Sequence, residues 1–251
     1  MRRFLPLIAL GCGAWLAFTA STIPAATVLR WFAPDTVRVS DVSGTIWSGS
    51  AALASVDGFP LRDLRWQIDA LPLLLARLSG SAEADFSNGF VNTQFSVAGD
   101  TVSLSALQLS TSVATLANVM PVSGVSGGIS AQLDSLTLAS QWPTDAAGAV
   151  RISNLIVEPL PGLGTVPMAL GSFEVTLIPT DGQGLRGAIA DLGGPLEVAA
   201  ELSLSPTREY QLNGTVRERS SAPEELVQGL NFMTGAPDAQ GRRELTFAGS
   251  L

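Results

Sequence analysis

Residues 44–56 read GTIWSGSAALASV, and this stretch decides the fold. Ile46, Ser48, Ser50, Ala52, Ala54 and Val56 alternate against Thr45, Trp47, Gly49, Ala51, Leu53 and Ser55. Period two is a strand signal, because successive side chains of a strand point to opposite faces of the sheet. Outward from this stretch the pattern continues. Val37 and Val39 precede it, and Leu64, Trp66 and Ile68 follow. Further runs fall at Phe86, 90–95, 102–109, 129–138, 150–157, 173–177, 196–204, 210–216 and 245–247, with Gly, Asn, Asp and Pro between them.

Asn88-Gly89 between alternating segments is a hairpin cue. Two long runs change phase near Ser105-Ala106 and Ser135-Leu136, which predicts β-bulges that curve the sheet. Short helices are expected at Leu71–Leu78, with Pro72 at the start and Gly80 as the stop, and at Ser112–Met120, stopped by Pro121. A third follows Ser221-Ala222-Pro223-Glu224, the spacing of a capping box, with Leu226, Val227 and Leu230 on one face. Gly124 to Gly128, Asp181 to Gly184 and Gly193-Gly194-Pro195 read as turns. The expected fold class is mainly β: an N-terminal transmembrane helix, then an elongated, curved, largely antiparallel sheet domain with two or three short helices. The body reads as one domain, with a split near Trp142 to Gly148 as the alternative.

Charge divides the chain in two. The first thirty residues carry Arg2, Arg3 and Arg30 and no acid, whereas the remainder holds 22 acids against 11 arginines, a net charge of −11. No charge falls between Phe4 and Leu29, and Phe4 to Ile23 alone would span about 30 Å as a helix, enough to cross a bilayer. Arg2 and Arg3 just before it predict a cytoplasmic head over 1–3, a membrane anchor over 4–23 and a body over 24–251 on the far side of the membrane. A retained anchor is preferred to a cleaved signal peptide because the apolar run exceeds the ~7–15 residues of a signal-peptide core. Ala9, Gly13 and Ala17 fall at i, i+4, i+8 and offer a smooth face for another membrane helix. Cys12 reads as a small apolar residue within the span.

Composition removes most catalysis. The chain has no His, one Cys, and only Arg among its 14 basic residues. The commonest general base, a disulfide framework, a thiolate metal cage and a Schiff-base lysine are therefore absent. A net charge of −8 is a poor match for nucleic-acid phosphates. Asp63 and Asp69 flank Trp66, but solvated strand-face charges explain them better than a paired-carboxylate site. Glu224 and Glu225 suit the first turn of a helix. No cofactor or metal is expected, and the chain reads as a non-enzyme. The residues singled out instead are Trp47, Trp66, Leu226 and Leu230, as packing or partner-facing positions.

Four features taken together resemble a known family: the Arg-bearing head with its single anchor, GTIWSGSA at 44–51, LRWQI at 64–68 leading into LPLLLARLSG at 71–80, and the end of the chain. That end runs GGPL at 193–196, YQLNGTV at 210–216, a short helix, then PDAQGR at 237–242 before LTFAG at 245–249. In this order the sequence is similar to the type II secretion system protein N family, the general secretion pathway protein N. The resemblance implies an inner-membrane protein of a Gram-negative cell with a β-rich periplasmic domain. It further implies an accessory part in the export of folded proteins across the outer membrane, with other secretion components as partners and no catalytic residue. It also implies an alternative, an envelope carrier that holds lipid or another hydrophobic ligand in the groove of a curved sheet.

Overall fold

A computed structural model describes residues 15, 19, 21–32, 37–56, 59–86, 88–116, 124–158 and 167–250. Among the described residues thirteen strands follow one another in chain order, antiparallel within 37–86 and within 89–250. Compact units form from 1–87 and 88–251. Strand β8, Trp142–Val157, runs without interruption through the alternative split point. Pro143 sits at its start, where a missing N–H is tolerated, and Gly148, at φ +131°, lets the Gln132 carbonyl approach too closely for any Cβ.

The first unit holds helix α1, Ala25–Phe32, and strands β1, Val37–Gly44, β2, Ser48–Val56, β3, Phe59–Asp69, and β4, Leu78–Phe86. Here the apolar pattern shifts parity, from Val37 and Val39 to Val42 and from Leu61 to Leu64. The shift falls on one row across the sheet, Asp41, Ala52 and Asp63, and both aspartates have positive φ, +54° and +49°. A residue in the left-handed region turns the pleat over, and Asp tolerates that region better than most side chains.

The second unit holds β5, Gly89–Ala98, β6, Thr101–Ser112, helix α2, Val113–Leu116, β7, Val125–Ala139, β8, β9, Met168–Ile178, β10, Leu185–Asp191, β11, Leu196–Leu204, β12, Glu209–Glu218, helix α3, Glu224–Met233, and β13, Arg243–Ser250. Both expected bulges are present. Ala106 has φ +50° where β5–β6 pairing slips, and β7–β8 pairing slips between Leu133 and Ser135. One row then crosses all nine strands in register: Val91, Leu109, Ala131, Val150, Val175, Ile189, Ala200, Gly214 and Leu245. The adjacent row on the opposite face is Gln132, Ala149, Thr176, Ala188, Glu201, Asn213 and Thr246. One face is thus apolar and the other mixed and polar, the arrangement of an antiparallel sheet covered on one side.

Three expectations are corrected. Leu71–Leu75 is a 3₁₀ turn that ends on left-handed Ala76, and the strand resumes at Leu78, so Gly80 lies inside β4. The capping box does not form: Pro223, which has no side-chain acceptor, takes the N-cap position in place of Ser221, and the helix starts at Glu224. Gly127 and Gly128 lie inside β7, where Gly127 faces the Ser153 and Asn154 carbonyls. Among the described residues no helix is long and apolar enough to cross a membrane. The anchor expected over 4–23, with Ala9, Gly13 and Ala17, lies outside the described residues except at 15, 19 and 21–23.

Candidate docking surfaces

In each unit a helix lies over the apolar face of that unit's strands. In the second unit α3 lays Leu226 and Leu230 on Leu196 and Val216, all four less than a tenth exposed, with Met168, Leu170, Val198 and Leu245 around them. Leu226 and Leu230 therefore pack inward, at the i, i+4 spacing that puts them on one face. The sheet-side partners belong to alternate positions of β11 and β12, so the cluster follows directly from strand periodicity.

Polar clamps hold this helix at both ends. Before it, Arg219 donates through Nη1 to the Gly194 and Leu196 carbonyls at 3.0 and 2.7 Å, and through Nη2 to Asp191 Oδ2 at 2.7 Å. Asp191 also accepts from the Val198 N–H at 2.9 Å and the Gly193 N–H at 3.2 Å. Burial pushes the Asp191 carboxyl up, but those two N–H groups and the Arg219 guanidinium outweigh it and hold the carboxyl below its ordinary value. After the helix, Arg243 is only 4% exposed. It donates to the Gly235 carbonyl at 3.0 Å and to both oxygens of Glu218, whose carboxyl the hydrogen bonds from Arg243 also hold low. Sequence reasoning passed over both arginines. The available signal was an Arg at each end of the connection between β12 and β13, Arg219 just after the first strand and Arg243 first in the second.

In the first unit α1 lays Ala25, Val28 and Leu29 over Val37, Val39, Leu64, Trp66, Ile68 and Ala82. A cavity of about 370 Å3 remains between them. Trp66 lines it, and its Nε1 donates to the Ile46 carbonyl at 3.1 Å. Gly49 lies against that ring, so closely that a Cβ there would overlap it. Trp47 is half-buried in the bend between β1 and β2, and its carbonyl accepts from the Ile68 N–H at 2.6 Å. The two tryptophans are thus placed at one end of the first unit, Trp66 in a packing role.

The outermost strands differ in how they are protected. On β1, Arg38 and the left-handed Asp41 interrupt the edge. On β13, Leu245-Thr246-Phe247-Ala248-Gly249-Ser250 carries no charge, no Pro and no positive φ. Its eight pairs with β12 run without a register shift. Among the described residues its other edge pairs with no strand. Edges of natural sheets are usually guarded by charge, Pro or bulges, so a regular uncharged one is a template for strand addition.

Asp63 and Asp69 do not converge. Asp63 lies in the β3 bulge and Asp69 at the end of the same strand, accepting from Ser79 Oγ at 3.3 Å. Six residues of strand separate them by roughly 20 Å. Among the described residues no group of His, Cys, Asp and Glu could hold a metal ion.

In comparison with known proteins, residues 35–246 match the family model for type II secretion system (T2SS), protein N. The chain is 26% identical over 259 residues to the type II secretion system protein N of Aeromonas hydrophila, covering 100% of both chains. It is 25% identical over 249 residues to the protein of that name from Pectobacterium carotovorum, covering 95% of this chain and 94% of the other. Against the Vibrio cholerae protein of that name it is 23% identical over 229 residues, covering 87% and 86%. No solved structure matches.

Proposed function

Because the chain belongs to the type II secretion system protein N family, we propose that it is a non-enzymatic scaffold of that system, anchored in the inner membrane by residues 4–23 with its β-rich body in the periplasm. The unguarded edge of β13 carries this reading. An extended segment of another secretion component would add to it as a further strand. The main-chain ladder would supply affinity, and the alternating Leu245 and Phe247 against Thr246 and Ala248 would supply selectivity. Phe247 is 38% exposed and available to such a partner. The anchor would keep the body at the membrane where the machine assembles.

Photo-crosslinking groups at Thr246 and Ala248, in the full chain within a secreting cell, are expected to capture one secretion component. The same groups at Arg38 and Ser40 of β1 are expected to capture none. Equal capture from both edges, or only background from β13, would sink the docking reading. Normal secretion and normal assembly of the apparatus in a clean deletion strain would sink the scaffold role itself.

A second reading, a carrier of lipid or another hydrophobic ligand, draws on a separate observation. Among the described residues no large side chain is fully buried, and the apolar row of the second unit is only part-covered at Val91, Leu109, Val150, Val175 and Ile189. Lipid that survives exhaustive detergent exchange, identified by mass spectrometry, would support a carrier. A protein free of bound lipid would count against it.

A further inference from the structure

The connection between β3 and β4 exposes leucine where a soluble surface would not. Leu71 is 79% exposed, Leu73 39% and Leu75 84%, within the single 3₁₀ turn Leu71–Leu75. Isolated exposed leucines are ordinary, but three in one turn form a patch that calls for an occupant. The turn is held in shape: the Ala76 N–H donates to the Leu73 carbonyl at 3.0 Å and the Arg77 N–H to the Pro72 carbonyl at 3.1 Å. The leucines are presented by a closed backbone.

A chain of hydrogen bonds shows what lies beside them. The Ile46 N–H donates to the Ile23 carbonyl at 3.1 Å, and Pro24 bridges to Thr45. The Ile68 N–H donates to the Trp47 carbonyl at 2.6 Å, and Leu71 follows three residues later. The residues that leave the apolar N-terminal stretch, the β1–β2 bend and the leucine turn therefore share one end of the first unit. Asp69 and Arg77 flank the turn, one charge of each sign, and both are exposed. No net charge favours an anionic surface there, while the Arg77 stem can lie along apolar material with its guanidinium in water.

We propose that the Leu71–Leu75 turn dips into the bilayer beside the anchor, a second membrane contact that fixes the first unit against the lipid surface. The inference rests on the anchoring reading above, and the experiment keeps the two separable. The full chain, with Cys12→Ser, carries an environment-sensitive fluorophore on Leu71→Cys, Leu75→Cys or, as control, Arg62→Cys, an exposed residue of β3 roughly 20 Å up the strand from Ile68. Each is reconstituted into vesicles of phosphatidylcholine alone and of phosphatidylethanolamine with phosphatidylglycerol. Flotation with the vesicles reports anchoring, and failure to float overturns both readings. In floated protein, the probes at 71 and 75 should shift to shorter wavelength and be quenched by shallow nitroxide-labelled lipid, equally in both vesicles, while the probe at 62 stays wet. Wet probes at 71 and 75 in floated protein overturn the insertion alone. A shift without lipid quenching assigns the leucines to a protein contact, and a signal confined to the anionic vesicles assigns it to headgroup attraction. Either overturns the proposal.

Discussion

Helices α1 and α3 cover the strands of their own units by the same device and to different degrees. Under α3, Leu226 and Leu230 meet Leu196 and Val216 in a closed cluster. Under α1, the smaller Ala25 and Val28 with Leu29 leave about 370 Å3 unfilled above Trp66. Apolar patterning alone is satisfied in both places. What differs is the volume of the covering side chains and the polar fastening, since the Arg219–Asp191 and Arg243–Glu218 pairs tie the segments on either side of α3. A sheet face can thus be closed where it is clamped and left open where it is only touched.

The largest test of this contrast truncates the closed side. Leu230→Ala should cost about 2–5 kcal/mol, because the site is ringed by the sheet and cannot collapse. A lowered urea midpoint for the second unit, followed through Trp142, is the expected result. An unchanged midpoint would remove the cluster as the core of that unit.

Smaller effects of opposite sign should follow from adding one methylene on each side. Val216→Leu presses into a site only 3% exposed and is expected to destabilise by about 1–3 kcal/mol. Val28→Leu points into the open cavity and is expected to stabilise by about 0.5–2 kcal/mol, as cavity filling commonly does. If both variants move the urea midpoint in the same direction, the two coverings are equivalent and the comparison fails.

Much of this was legible in the chain. Alternation located most strands because a one-sided sheet forces period two, and the phase change at Ser105-Ala106 marked a real bulge because left-handed Ala106 turns the pleat over. Strand β10 escaped notice. Its third residue is Gly187, where any Cβ would meet Leu177 and Val175 side chains, so the packing that demands glycine also erases the apolar signal. The helix over Leu71–Leu78 was overread because leucine suits both structures; the left-handed Ala76, which no motif announces, ends the turn. The edge strand β13 was the least legible feature. A strand carries no mark of being outermost, and only the charge-free run after Glu244 hints at it.

The smallest effect expected concerns acid. Asp191 and Glu218 both titrate below their ordinary values in the folded chain, and both belong to the clamps of α3. In the unfolded chain such groups titrate near ~3.9–4.3. A carboxyl whose folded value is depressed adds stability that is complete above its unfolded value and is lost as pH falls through the folded one. The clamps should therefore hold at neutral pH and loosen below about pH 4. No carboxylate belongs to α1, so its covering should respond less. Hydrogen exchange, corrected for intrinsic rates, is expected to show amides of Leu226 to Leu230 losing protection between pH 6 and pH 3 more than those of Val28 and Leu29. Asp191→Asn with Glu218→Gln should weaken α3 at pH 6 and flatten its pH dependence, because the charge that acid removes is already gone. If the double variant keeps the wild-type slope, the fastening of α3 lies elsewhere, and packing alone must explain why one helix closes its sheet and the other does not.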